Sequence, residues 1–204
     1  MTYREILRHH ASYNKEAMKS RSWEGGETLV YVTPWNNHGY DVAKWFHKFT
    51  LVAPVWLQLK TESIGIKVTG THDVDQGWME EVRATGAKVV PRVIFEIHQN
   101  TLAQLIADED SIKTITATLL DTVLDHKLDG LVVEVWNSIT MDMADDVVHL
   151  MTHLADALHG NDKLLILVIP PTKENARDAQ FTRKHFEKLK DVVDFFSLMT
   201  KASK

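Results

Sequence analysis

The sequence predicts an α/β fold built on parallel strands. Three observations carry this: short β-branched runs with little polar interruption, amphipathic stretches of helical period between them, and regular spacing of the runs. The runs are TLVYVTP (28–34), TLVAPVWLQLK (50–60), KVVPRVIFE (88–96), GLVVEVW (130–136), LLILVIP (164–170) and DFFSLMT (194–200). Near-continuous apolarity bounded by Gly, Pro and charge is what a strand covered on both faces requires. The runs start at 28, 50, 88, 130, 164 and 194, a mean interval of about 33 residues, the length of a βα unit. An eight-unit barrel at that period takes about 266 residues. Residues 28–204 hold only about six units, so the expected architecture is a (β/α)8 barrel of the TIM type, truncated to about its first six β/α units.

Each intervening helix has an apolar stripe. Residues 73–84 place Val74, Trp78 and Val82 four apart, and residues 110–126 carry Ile112, Ile115, Leu119, Leu120 and Val123. Residues 141–158 repeat Val147, Leu150, Met151, Leu154 and Leu158, and residues 182–189 turn Phe186 and Leu189 inward. The organisation expected is a helical extension over residues 1–27, the partial barrel over 28–200 and a divergent tail at 201–204. An open doubly wound sheet of six strands is the rival architecture. The glycine-rich phosphate turn such a sheet often carries is missing after the first strand, where the sequence reads TPWNNHGYD, and no GxxxxGK[ST] occurs.

Composition excludes several functions. With 23 Lys+Arg against 28 Asp+Glu and a net charge of −5, the chain lacks the basic footprint of a nucleic-acid binder. It has no cysteine, so disulfide scaffolds, thiol catalysis and cysteine zinc sites are out. No run is long and apolar enough for a membrane span, and the first residues, although basic, have no apolar run of signal-peptide length. No cofactor is expected.

In a barrel, chemistry sits at the C-terminal ends of the strands. Those ends supply Trp35, Trp56, Glu96, Glu134, Trp136 and Met199. Aromatic faces suit sugar rings and carboxylates suit hydroxyls or proton transfer, so an oligosaccharide is the expected partner. Trp136 divides about evenly between stacking on a sugar and plugging the core, and Trp35 and Trp56 divide similarly. Trp78, at helical spacing, is expected to pack. Glu96, ending the third strand, and Glu134, within the fourth, form the alternative catalytic pair, unless Glu96 only caps its loop or pairs with a base such as Arg92. His149 and His153 stand at i,i+4 without the glutamate of HExxH, so a structural or solvated pair is expected and no metal site. Asp73 and Asp75 are expected at a helix N-terminus.

The segment LDGLVVEVWN (128–137) resembles the fourth strand of family 18 glycoside hydrolases, whose pattern is Asp-Gly-x-Asp-x-Asp-x-Glu. Asp129 and Gly130 match. Val132 stands at the second Asp, Glu134 at the third and Trp136 at the acid Glu. YVTPWNNHGYD, PVWLQLK, THDVDQGWM, VPRVIFE, LMTHLADALH, LLILVIPP and FSLMT extend the resemblance to a chitinase-like branch of that family across residues 31–200. The resemblance implies a secreted or lysosomal saccharide-binding protein without efficient hydrolysis, with a scavenger-type receptor as a possible partner. It also implies Met-x-Tyr-Asp at the end of the sixth strand, where Met199 and Thr200 are followed by Lys201, and two further strands, so the chain is expected to be an alternative or truncated product of a longer gene. Because side chains alternate along a strand, Val132, Glu134 and Trp136 are expected on one face. An indole neither protonates a leaving group nor orients an acetamido group as a carboxylate does.

Overall fold

A computed structural model describes residues 2–9, 25–63, 65–171 and 181–200. The strands are β1 (Leu29–Val32), β2 (Leu51–Pro54), β3 (Leu57–Glu62), β4 (Gly65–Thr69), β5 (Lys88–Val89), β6 (Arg92–Phe95), β7 (Gly130–Glu134), β8 (Leu164–Ile169) and β9 (Phe195–Leu198). The helices are α1 (Tyr3–His9), α2 (Asn37–Trp45), α3 (Gln76–Ala84), α4 (Gln99–Ile106), α5 (Glu109–Asp125), α6 (Ala144–His159) and α7 (Arg183–Leu189). Of the extension expected over residues 1–27, α1 is described. Residues 10–24 and the tail at 201–204 lie outside the described residues.

All six runs become strands, and two of them bend. The second divides into β2 and β3 after Pro54, which has no amide hydrogen to donate, and the third divides into β5 and β6 across Val90 and Pro91. The lower half of the sheet is ordered β1-β2-β5 and the upper half β4-β3-β6-β7-β8-β9. Apart from the antiparallel β3/β4 hairpin, every pairing is parallel. Each run thus lies beside its neighbour in sequence, and the order never reverses. A doubly wound sheet must reverse its order at a switch point, so the open-sheet rival is excluded and the barrel winding holds.

Alternation divides the side chains of the sheet between two environments. Leu57, Leu59, Val93, Phe95, Leu131, Val133, Leu165 and Leu167 join the large core beneath α3, α5 and α6. Leu51, Ala53, Val90, Val132, Ile166 and Val168 form a separate apolar cluster on the opposite face, which is the barrel lumen. Helix starts follow local chemistry. The side chain of Asp75 caps α3 by accepting the Trp78 amide at 3.0 Å, and Asp108 caps α5 by accepting the Ser111 amide at 2.8 Å. Trp78 is buried, as its helical spacing predicts.

The start of β7 is fastened by the two residues that match the family 18 pattern. The Asp129 carboxylate accepts the Val89 amide at 2.7 Å and the Arg83 Nε–H at 2.9 Å, tying β7 to β5 and α3. Gly130 has φ +154°, and a Cβ there would lie 2.2 Å from the Leu164 carbonyl oxygen of β8. Only glycine allows that approach without moving backbone. We expect Gly130→Ala to lower unfolding stability by about 3 kcal/mol or more, because the obstacle is a strand backbone rather than a flexible side chain. A urea midpoint within experimental error of the parent would contradict this.

Candidate functional site

At the C-terminal end of the lumen the strands enclose a cleft of about 280 Å³, lined by Tyr31, Val55, Arg92, Glu134, Val168, Ser197, Leu198 and Met199. Register explains why distant residues meet there. Ile94 lies opposite Glu134 and Arg92 opposite Val132, so Arg92 and Glu134 are diagonal neighbours on the lumen face. Arg92 Nε donates to Glu134 Oε2 at 2.6 Å, and Asn137 Nδ2 donates to Oε1 at 3.0 Å. Both Glu134 oxygens are therefore engaged as acceptors, and the residue is 7% exposed. Asn137 also reaches the Met199 sulfur at 3.2 Å. Across the cleft, the Tyr31 and Ser197 hydroxyls share a hydrogen bond of 2.7 Å that joins β1 to β9. Burial, aided by the Glu134 charge, holds the Tyr31 phenol above its ordinary pKa, so it stays neutral.

Of the six residues expected at the site, the cleft brings together Glu134 and Met199. Trp35 lies in the turn after β1 and is 79% exposed. Glu96 is half-exposed and pairs with Lys60 at 2.8 Å, whereas Arg92 serves Glu134. The two carboxylates expected as an alternative acid/base pair are each held by a separate cation, and Glu96 does not line the cleft. The tryptophan positions need correction. Trp56 is fully buried beside Trp78, with ring centroids 5.7 Å apart, and its indole N–H donates to the Tyr40 hydroxyl. It lies four positions after Val52 and, like it, joins the core beneath the helices.

Trp136 departs from the expected shared face because its strand ends before it. Strand β7 ends at Glu134, Val135 has φ −122° and ψ −28°, and Trp136 opens a turn of 3-10 helix. The strand alternation lapses there, so Val132 faces the lumen cluster while Trp136, with no exposed surface, joins the outer core. Its ring packs on Phe181 at 4.9 Å and His185 at 5.7 Å. Sequence reasoning missed Tyr31 and Ser197, and gave Arg92 the wrong partner. Period-2 alternation from Leu29 and from Val90 was the signal that places Tyr31 and Arg92 on the lumen face.

Trp136 is held from outside by α7. Thr182 and His185 form a capping box in which the Thr182 amide donates to His185 Nδ1 at 3.1 Å. Asp145 at the start of α6 accepts from Lys184 and Lys188 at 2.8 and 2.7 Å, and those bonds hold its carboxyl down at about 2. Burial holds the His185 imidazole below its ordinary value. The Asp145 charge opposes that shift, and Lys184 and Lys188 add to it.

No family model matches the chain. Its fold is similar to that of solved chitinases. A chitinase from Chromobacterium violaceum aligns with a TM-score of 0.71 at 15% identity, covering 88% of this chain and 57% of that one. A GH18 chitinase from Cycas revoluta in complex with (GlcNAc)3 aligns with a TM-score of 0.66 at 12% identity, covering 85% and 55%. The spore cortex-lytic enzyme SleL from Bacillus megaterium aligns at 0.68 and 10% identity, covering 87% and 42%. The likeness is one of fold: a barrel of the GH18 kind, of which this chain spans about half the neighbours' length.

Two predictions follow from the packing of Trp136. Trp136→Ala should cost about 3–5 kcal/mol of unfolding stability by opening a cavity, read as a lowered urea midpoint. The capping box gives a pH dependence. The folded His185 pKa lies below the unfolded value of about 6.5, so the unfolded chain takes up the proton first. The anchoring of α7 is complete above that pH and weakens as pH falls below it, while Asp145 stays ionised down to about pH 4. Trp136 fluorescence should change between pH 7 and 5 in the parent and much less in His185→Asn. Equal profiles would contradict the assignment.

Proposed function

We propose that the chain is a chitinase-like, saccharide-binding protein of glycoside hydrolase family 18. It is similar to the stabilin-interacting branch called chitinase domain-containing protein 1, and binds chitin-type or N-acetylglucosamine oligosaccharides without efficient hydrolysis. The observation that carries this reading is the state of the three pattern positions on β7. Val132 is part of an aliphatic lumen cluster, Glu134 has both oxygens engaged by Arg92 and Asn137, and Trp136 is buried outside the lumen. Hydrolysis with substrate assistance requires a carboxyl that delivers a proton and a second that steadies the acetamido group. Neither is supplied there. What the cleft offers is hydrogen bonding, from the Tyr31 and Ser197 hydroxyls and the Arg92 guanidinium. The exposed Trp35 ring, in the turn after β1, offers a stacking face. A secreted or lysosomal location and a scavenger-type receptor partner belong to the same proposal and rest on the sequence resemblance.

Titrating N-acetylglucosamine oligomers into the chain tests the reading. One stacked ring and a few hydrogen bonds support only about micromolar to millimolar affinity. We expect saturable binding in that range, weakened several-fold in Trp35→Ala and Tyr31→Phe, and no turnover of a fluorogenic chitobioside above buffer. Turnover abolished by Glu134→Gln would replace this reading with a residual hydrolase. No binding by a folded chain would reject it.

A further inference from the structure

A second cluster of chemically active side chains lies on the helical side of the sheet, apart from the cleft. It joins residues forty positions apart in sequence. Glu109 is the first residue of α5, just after the Asp108 cap, while His149 and His153 stand one turn apart on α6, which packs against α5. His149 Nε2 lies 2.6 Å from Glu109 Oε1, and His153 Nε2 lies 3.9 Å from Glu109 Oε2. The two imidazoles meet edge to face with centroids 4.6 Å apart. One ligand atom from each of the three residues lies within 4.8 Å of the other two.

We infer that Glu109, His149 and His153 bind a single divalent transition-metal ion of the zinc class. Metal–ligand bonds of about 2.0–2.1 Å in a tetrahedron put ligand atoms about 3.3 Å apart. The present separations of 2.6 and 3.9 Å fall on either side of that value, so small rotations of three side chains that reach solvent bring them onto it. The ion takes the place of the proton shared by His149 and Glu109. Two imidazoles and one carboxylate suit zinc, nickel or copper, whereas calcium and magnesium prefer oxygen ligands alone. Three protein ligands leave a position for water or an outside ligand. The nearby cation is Lys113, whose ammonium is paired with Asp110 at 3.1 Å and so opposes the ion only weakly. The ion fastens the first turn of α5 to the middle of α6. Binding therefore stabilises the packing of two helices and is independent of any sugar in the cleft.

The test is calorimetric titration of the full 204-residue chain with Zn²⁺, beside His149→Ala/His153→Ala and Glu109→Gln variants whose folding is verified by circular dichroism. The chain has 11 histidines, so the readout is the difference between parent and variants. The parent should bind one more Zn²⁺ than the double variant, and Glu109→Gln should bind that ion at least tenfold more weakly. At a hundredfold excess of Zn²⁺ over its Kd, the parent's Tm should rise by about 5–10 °C, a shift absent from the double variant. Co²⁺ at the same site should give the visible absorption of a tetrahedral complex. Equal stoichiometry and affinity in parent and double variant would overturn the assignment, as would the same thermal shift with Mg²⁺ or Ca²⁺.

Discussion

The lumen-facing side chains of β6, β7 and β8 take their height from the way β7 is seated against its neighbours. Gly130 lets the β7 backbone come against Leu164 of β8, while Asp129 grips the Val89 amide and Arg83. The same device recurs around the N-terminal end of the sheet. Asp194, just before β9, accepts the Leu165 amide at 2.7 Å and pairs with His159, and the Thr50 hydroxyl, just before β2, accepts the Thr28 amide at 2.7 Å. Each clasp supplies an acceptor to an amide of the preceding strand that the parallel ladder leaves at its end. With β7 fixed, the pairing of Ile94 with Glu134 brings the Arg92 guanidinium to the Glu134 carboxylate. A charge this deep in the lumen is tolerable only when paired.

The winding of the sheet was legible because burial on both faces writes uninterrupted apolar runs, and the six runs became the six barrel strands. The helices read from sequence, over residues 73–84, 110–126, 141–158 and 182–189, correspond to α3, α5, α6 and α7 within a few residues. The omissions have physical reasons. Strand β4 is short, exposed on alternate residues and joined to β3 by a hairpin, so GIKVT gives only two buried or half-buried apolar positions. Helix α2 starts from the Asn36 cap and buries only Ala43, too little to leave a stripe. Helix α4 follows closely on β6 and buries only Leu102 and Ile106, too few positions to mark it in the sequence.

The site was less legible than the fold for one reason: alternation predicts a face only while the strand lasts. Glu134 is the final strand residue of β7, and the turn at Val135 sends the next indole to the opposite layer. Trp56 shares the core-facing phase of Val52, four positions earlier, so alternation along the second run already points it away from the lumen. Tyr31 and Ser197, 166 positions apart, meet only because the sheet curves β1 towards β9, and no local pattern encodes such a meeting. The encounter of Glu109 with His149 and His153 is of the same kind, since it depends on how α5 and α6 lie over the strands.

The lumen has two levels with opposite chemistry. Leu51, Ala53, Val90, Val132 and Ile166 fill the lower level with hydrocarbon, leaving nothing to solvate a charge. The polar groups of the cleft, Arg92, Glu134, Asn137, Tyr31 and Ser197, already hydrogen-bond among themselves. A ligand entering the cleft must therefore join this network rather than break it, because parting Arg92 from Glu134 would leave a buried charge alone at a cost of about 3–5 kcal/mol. Hydroxyl groups can do so, since each both donates and accepts, and the guanidinium uses only its Nε towards protein among the described residues. Added hydrogen bonds of that sort contribute about 1 kcal/mol each after desolvation. They would orient a bound molecule against the rim through the same hydroxyls and guanidinium that already hold the network together.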